Sequence, residues 1–159
     1  MSGKIYPIGI QNFESLRNDG YFYIDKTPFI KEWWDCGDSA NLITRPRSFG
    51  KTLTMSMVEQ FFSIDYAGRS DLFEHLAIWK EEKYRELQGT YPVISLSFAR
   101  IKERDYEKTK QKMCEVLRNI YIKFCYIKDS EKLTDADRAY YERMLEENIK
   151  ETDATSSLY

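Results

Sequence analysis

One stretch of this sequence reads Arg45-Pro46-Arg47-Ser48-Phe49-Gly50-Lys51-Thr52. Its second half fits the pattern of a phosphate-binding loop, in which a glycine and four variable residues precede Gly-Lys-Ser/Thr. The first glycine of that pattern would fall at position 45, where this chain has arginine. Because a non-glycine residue adopts a positive φ only at a cost, we expect the first turn of the loop to follow another path.

The residues on either side of the loop support this interpretation. Ser39–Thr44 has the texture of a buried strand, and apolar residues after the loop recur at helical spacing, which predicts a helix from Lys51 to Ser63. A strand, a loop and a helix in this order are what a phosphate-binding loop requires. Gly-Lys-Thr by itself is common and reads as an ordinary helix start, so the prediction depends on the flanking segments.

The chemistry expected of this loop is the binding of ATP, or another nucleoside triphosphate, with Mg²⁺. The first N–H groups of a helix have no intrahelical partner, and the helix dipole adds partial positive charge, so a helix start attracts phosphate. Lys51 is predicted to reach the outer phosphates, the Thr52 hydroxyl to hold Mg²⁺, and Gly50 to let the backbone come close. The predicted nucleotide-binding residues are Arg45, Arg47, Ser48, Phe49, Gly50, Lys51, Thr52 and Leu53, with Thr52 as the metal ligand.

Composition limits the other classes of function. A chain of 159 residues with 42% hydrophobic content predicts one folded domain with a sizeable core. The net charge of -2 argues against broad, sequence-independent nucleic-acid binding, which needs a basic face. Three widely spaced cysteines and one histidine do not predict a zinc site, and we interpret the cysteines as free, buried thiols. No apolar run has the length of a signal peptide or a membrane span, so we expect no membrane partner and a cytoplasmic location.

The rest of the chain alternates predicted helices with extended apolar segments. Pro92–Phe98 alternates apolar and small polar residues, which predicts a second strand, and Tyr21–Ile24 is predicted to be extended. The predicted helices are a short one capped by Asn12, one from Pro28 to Asp35, a charged one from Trp79 to Leu87, a long one from Tyr106 to Ile127, and one from Asp135 to Lys150 capped by Thr134. Glu151–Tyr159 completes no element. Together these elements predict an α/β fold with a small parallel sheet flanked by helices.

The sequence offers no clear acidic partner for the loop. A nucleotide hydrolase of this kind needs an apolar strand that ends in Asp or Glu, to position Mg²⁺ and water. Tyr21–Asp25 has the right texture but precedes the loop, and Val93–Phe98 is followed by Ala99-Arg100. The carboxylate pair Glu81-Glu82 is interpreted as part of a solvated helix face. Efficient hydrolysis is therefore not predicted.

Several blocks of residues together resemble the bacterial AAA-ATPase-like family. They are Tyr6–Ile10, Phe13–Arg17, Tyr21–Thr27 and Thr44–Leu53, followed in the family's order by Leu72–Ile78 and Pro92–Ile94. Arginine in place of the first loop glycine is usual in that family, so Arg45 fits the resemblance. The matching blocks extend over nearly the whole chain.

The resemblance implies a truncated AAA-ATPase-like domain over residues 1–159, with a partial P-loop NTPase-like core. In the family, the acidic Walker B strand follows a helix that would begin near Ala154, and a C-terminal domain of the PD-(D/E)xK nuclease type usually follows. Both would lie beyond Tyr159. The resemblance therefore implies a nucleotide-binding module without efficient hydrolysis on its own, and it does not imply cleavage of nucleic acid.

Two functions from different classes remain open. The first is the nucleotide-binding module, either as a truncated ATPase or as half of a split one. The second is a non-catalytic protein-binding module or inhibitor, such as a mobile-element protein that acts on a CRISPR effector. If a neighbouring strand is missing, the strand near Leu42-Ile43 has an unpaired edge, and we then expect a homodimer or a protein partner.

Overall fold

The structure is a computed structural model that describes residues 8–99, 101–147 and 149–157. The chain divides after Val93 into two units, each with its own hydrophobic core. We refer to residues 8–93 as the N-terminal unit and to residues 94–157 as the C-terminal unit.

The N-terminal unit consists of helices joined by turns. Its α-helices are α1 (Phe13–Asn18), α2 (Pro28–Cys36), α3 (Lys51–Phe62) and α4 (Glu82–Arg85), and short 3-10 helices cover Ile64–Tyr66, Ser70–Leu72 and Ala77–Lys80. The caps follow from the sequence. The Asn12 side chain accepts the Ser15 N–H at 2.9 Å, and Gly37 ends α2 in the left-handed conformation that favours glycine.

Aromatic side chains fill the core of the N-terminal unit. Phe13 of α1, Phe61 of α3 and Phe73 are fully buried. The Phe73 ring lies 5.3 Å from that of Phe13 and 5.1 Å from that of Phe61, the latter edge to face. Met57 is one helical turn before Phe61 and is also fully buried. Helix α3 is therefore anchored through its middle and its C-terminal half.

A polar network centred on the buried Thr27 joins the start of α2 to the turn at residues 77–78. Thr27 is fully buried; its hydroxyl donates to Asp25 Oδ1 at 2.6 Å and accepts the Ile78 N–H at 3.2 Å. The Asp25 carboxylate also accepts the Thr27 N–H at 2.8 Å and the Ala77 N–H at 2.7 Å. Since buried polar groups without partners are costly, this Asp25–Thr27 network fixes where the chain enters α2.

Tyr23 continues this ordering toward α3. Its hydroxyl donates to Met57 Sδ at 3.1 Å and accepts the Lys26 N–H at 3.1 Å. Burial is the main reason that the pKa of Tyr23 is raised to about 12. The backbone of Lys26 is therefore tied to a residue of α3.

Two arginines tie α1 to the segment after α3. Arg17 donates to the carbonyls of Leu72 at 2.8 Å and Glu74 at 3.1 Å. Arg69 forms ion pairs with Glu14 and with Asp71. The bonds of Arg17 and the Arg69–Glu14 pair connect residues distant in sequence, so the short helix α1 is held by more than its own backbone bonds.

The C-terminal unit contains helices α5 (Tyr106–Lys123), α6 (Asp135–Leu145) and α7 (Glu151–Ser156), with a 3-10 helix over Cys125–Asp129. Leu117, Met144 and Ala154 form its buried core, one residue from each α-helix. The Tyr141 hydroxyl donates to the Tyr121 carbonyl at 2.7 Å, which joins α6 to α5.

The prediction of an α/β fold with a small parallel sheet is wrong. No strand is present in the described residues, and Ser63 and Tyr91 form an isolated parallel bridge. Residues 39–44 and 92–98 carry no regular structure, and Leu42 and Ile94 are 87% and 67% exposed. A strand is stabilised by a neighbouring backbone as well as by its apolar pattern, and no described segment forms a ladder with either stretch.

The predicted helices are largely confirmed, with corrected ends. The N-terminal caps at Asn12 and Thr134 and the start of α3 at Lys51 agree with the prediction. Helix α5 ends at Lys123 and α6 at Leu145, both earlier than predicted, and the charged segment 79–87 contains only short helical turns. The residue pattern did not predict helix α7, because its six residues carry no long apolar stripe. The family resemblance implied a helix that begins near Ala154, and Ala154 lies in α7.

The cysteines are free, as expected, but the expectation that they are buried is wrong. Cys36 and Cys125 are exposed, and Cys114 is half-buried. Cys36 ends α2 and Cys125 follows α5, both positions that face outward.

We predict that Thr27→Val destabilises the N-terminal unit by about 1–3 kcal/mol, because the Ile78 N–H and the Asp25 carboxylate lose a buried partner while the side-chain shape is retained. Urea unfolding followed by circular dichroism measures the loss. Thr90→Val is the matched control, since the Thr90 hydroxyl donates to the Leu87 carbonyl from an exposed position. Equal midpoints for the two variants would contradict the structural role of the Asp25–Thr27 network.

Candidate functional site

The loop before α3 turns through two left-handed residues. Ser48 has φ of 67° and Gly50 has φ of 75°, whereas Arg45 is not in the positive-φ region. Glycine adopts this conformation readily, and a non-glycine residue such as Ser48 does so at a cost of about 1–2 kcal/mol. The positive-φ turns of the loop therefore lie at residues 48 and 50, just before α3, and not at Arg45.

Lys51 folds back over this loop. Its ammonium donates to the Arg45 carbonyl at 2.5 Å and to the Pro46 carbonyl at 2.9 Å. These bonds join the two ends of the loop. An ammonium group in this position can exchange a carbonyl for a stronger anionic acceptor without a change in backbone path.

The first turn of α3 presents backbone donors that no side chain caps. Gly50 occupies the N-cap position and has no side chain, and the first intrahelical bond is from the Thr54 N–H to the Gly50 carbonyl at 2.9 Å. The N–H groups of residues 51–53 therefore have no intrahelical acceptor. Thr52 is exposed in the same turn. This arrangement favours an anion at the start of α3.

Several cationic side chains of the loop and its surroundings form no ion pair with a carboxylate of the described residues. Arg45, Arg47, Lys51 and Lys26 form no ion pair within the described parts of the chain, in contrast to Lys31 and Lys83 of the same unit. Lys26 instead donates to the Phe49 carbonyl at 2.7 Å. An incoming anion would meet cations that need not give up a carboxylate first.

An open cleft lies beside the loop. Apolar side chains line it, from Pro28, Phe29, Ile43 and Phe49. Its charged side chains are Asp25, Lys26, Glu32 and Arg45, and Thr54 adds a hydroxyl. The loop motif indicated Arg45 and Phe49, but it did not indicate the α2 side of the cleft. Lys26, Phe29 and Glu32 lie far before the loop in sequence, so local spacing could not indicate them; only the Tyr21–Thr27 block pointed to this region.

Asp25, considered in the sequence as an acidic partner for the loop, has another role. Both of its carboxylate oxygens accept hydrogen bonds, from Thr27 and from the Ala77 N–H. It is a structural residue of the N-terminal unit. The pair Glu81-Glu82 is likewise occupied in part, since Glu81 binds Lys31.

The predicted site residues differ in what the structure shows of them. Gly50, Lys51 and Thr52 come together at the start of α3, and Arg45 and Phe49 reach the cleft. Ser48 contributes its left-handed backbone, Arg47 is exposed in the turn, and Leu53 packs against the core.

No set of three His, Cys, Asp or Glu side chains among the described residues is arranged to hold a metal ion. None of the helices in that part of the chain combines the length and the apolar character needed to cross a bilayer. Thr52, the residue predicted to be the metal ligand, is exposed in the first turn of α3.

Comparison with known proteins gives one family and one relative. The family model described as a predicted AAA-ATPase matches residues 7–157. An uncharacterized protein from the vnfD 5′ region of Azotobacter chroococcum mcd 1 is 34% identical over 118 residues, which is 74% of this chain and 21% of that protein. The chain thus spans about a fifth of the length of this relative. No solved structure matches the chain significantly.

Proposed function

The chain belongs to the AAA-ATPase-like family, and on that premise we propose that residues 45–53 bind the phosphates of ATP or another nucleoside triphosphate together with Mg²⁺. The observation that carries the proposal is the start of α3. There, uncapped backbone donors lie near cations that have no carboxylate partner among the described residues. Anions bind favourably at such a helix start.

Each residue of the site has a distinct part in this proposal. Lys51 exchanges one of its loop carbonyls for an outer phosphate oxygen, Thr52 ligates Mg²⁺, and Gly50 leaves the backbone close to the phosphates. Arg45 and Arg47 add positive charge that draws a polyanion to the loop. The magnesium ion neutralises phosphate charge when it is bound.

The cleft beside the loop suits the nucleoside. Phe29, Ile43 and Phe49 give it an apolar wall, and Phe49 is 59% exposed and therefore open to stacking. Glu32 is the carboxylate on the α2 side and can accept a hydrogen bond from a base or a sugar. Base preference would then depend on Glu32 rather than on the loop.

We predict that Lys51→Ala weakens binding of Mg-ATP by about ten- to a hundredfold, because a charge-assisted bond to phosphate is worth roughly 1.5–3 kcal/mol. Isothermal titration calorimetry with Mg-ATP and Mg-GTP measures the effect. Unfolding midpoints should change little, since the hydrogen bonds of Lys51 are exposed. The control is Lys31→Ala, which removes a lysine paired with Glu81 away from the loop. Equal affinities for wild type and Lys51→Ala would place any nucleotide site elsewhere.

We predict that the 159-residue chain alone turns over ATP far more slowly than the roughly 10 s⁻¹ typical of enzymes. Hydrolysis needs a carboxylate to position Mg²⁺ and water, and both oxygens of Asp25 are already engaged. Phosphate release in the steady state checks this expectation. A rate near that typical value, lost in Thr52→Ala, would show that the chain carries a complete catalytic site.

Exposed apolar residues favour a second function, the binding of a protein partner or of a second copy. Leu42 lies in the segment before the loop, and Ile94, Leu96 and Phe98 alternate in the segment 92–98. Extended segments with free backbone donors and apolar side chains pair readily with a strand from another chain. This binding is compatible with nucleotide binding or can replace it in a non-catalytic module.

We predict that the purified chain self-associates at micromolar concentration and that Ile94→Lys reduces the association, because a charge at this position opposes strand pairing. Light scattering over a concentration series measures it. Ile122→Lys is the control, since Ile122 is an exposed apolar residue on α5 of the same unit. A monomer at all concentrations, together with no partner recovered from the host, would count against this function.

A further inference from the structure

We infer that Lys26 is a positioning residue of the anion site: its ammonium fixes the Phe49–Gly50 peptide at the start of α3. The inference rests on the proposed function and adds to it a residue from outside the phosphate-loop motif. Its evidence is the anchoring of Lys26, its contact with the loop, and the geometry of the peptide that it holds.

The backbone of Lys26 is anchored on both sides. Its N–H donates to the Tyr23 hydroxyl at 3.1 Å, and its carbonyl accepts the Phe29 N–H at 3.0 Å. The next residue, Thr27, is fully buried in the Asp25–Thr27 network. The side chain of Lys26 therefore starts from a fixed point at the beginning of α2.

From that point the ammonium reaches the loop. Lys26 Nζ donates to the Phe49 carbonyl at 2.7 Å and forms no ion pair within the described residues. Two carboxylates line the same cleft, Asp25 and Glu32. Within the described residues, Lys26 forms an ion pair with neither of them, and Asp25 accepts from Thr27 and from the Ala77 N–H. A bond from a cation to a carbonyl is stronger than one between neutral groups.

Because the Phe49–Gly50 peptide is planar, the bond to its C=O also orients its N–H. No described peptide bond is cis, and in a trans peptide the C=O and the N–H point in opposite directions. With its oxygen held toward Lys26, the Phe49–Gly50 peptide directs the Gly50 N–H away from Lys26. Gly50 is the N-cap residue of α3, so this donor adjoins the uncapped N–H groups of residues 51–53.

The ammonium of Lys26 lies close to Gly50. A Cβ placed on Gly50 would lie 2.8 Å from Lys26 Nζ, and Gly50 has a left-handed φ that other residues adopt at a cost. Glycine also allows a peptide to rotate easily, so position 50 needs an external contact to hold one orientation. Lys26 supplies that contact before the anion arrives, which lowers the ordering cost of binding.

The test compares Lys26→Met with Lys26→Arg by calorimetry with Mg-ATP. We expect Lys26→Met to bind about three- to tenfold more weakly, since the loop must then be ordered on binding. Lys26→Arg keeps a cationic donor and should recover most of the affinity. Lys31→Met removes a lysine that pairs with Glu81 and should bind as wild type.

A double-mutant cycle separates positioning from a general loss of charge. If Lys26 acts by holding the Phe49–Gly50 peptide, Gly50→Ala disturbs that same peptide. The fold-loss of Mg-ATP affinity in the double variant should then be smaller than the product of the fold-losses in the two single variants. Multiplicative losses would overturn the inference. The amide NMR signal of Gly50, recorded without nucleotide, should shift in Lys26→Met and remain in place in Lys31→Met.

The outcomes distinguish the inference from the proposed function. Weaker binding in Lys51→Ala with unchanged affinity in Lys26→Met would overturn the inference alone. An unchanged Gly50 amide signal in Lys26→Met would also overturn it, whatever the nucleotide does. Failure of the wild-type chain to bind Mg-ATP would overturn the proposed function and the inference with it.

Discussion

The buried hydroxyl of Thr27 needs hydrogen-bond partners, and that requirement organises the N-terminal unit. Asp25 and the Ile78 N–H satisfy it, and Asp25 in turn accepts the Ala77 N–H. The start of α2 is thereby fixed against a turn about fifty residues later in the chain. Tyr23 extends the same order to α3 through Met57. The start of α2 and helix α3 are thereby held in place on either side of the loop at residues 45–50.

The loop itself combines a rigid support with an unsatisfied helix end. Phe61 and Met57 anchor α3 in the core, and no side chain caps the N–H groups of its first turn. Lys51 satisfies carbonyls of the loop but not these donors. Charge and backbone donors therefore accumulate in one place, which is the physical basis for phosphate binding proposed for this family member.

The sequence predicted the helices well because caps and apolar spacing are local. Asn12, Thr134 and Lys51 mark helix starts that the structure confirms. The sheet was predicted wrongly because a strand depends on a neighbour, and the pattern of residues 92–98 carries no information about one. At the candidate site, the loop motif predicted a helix that begins at Lys51, which the structure confirms. The positions of Lys26 and Glu32 beside the loop could not be predicted, because tertiary packing brings them to the cleft.

The exposed stretch at residues 92–98 makes the chain susceptible to proteolysis at this point. It spans the division between the two units, lacks regular hydrogen bonding in the described residues, and presents Leu96 and Phe98 as accessible side chains. Proteases bind their substrates in extended form, so a segment that is already extended needs little local unfolding before cleavage. A digest with chymotrypsin would therefore start here, and any molecule that occupies this stretch would lengthen the lifetime of the intact chain.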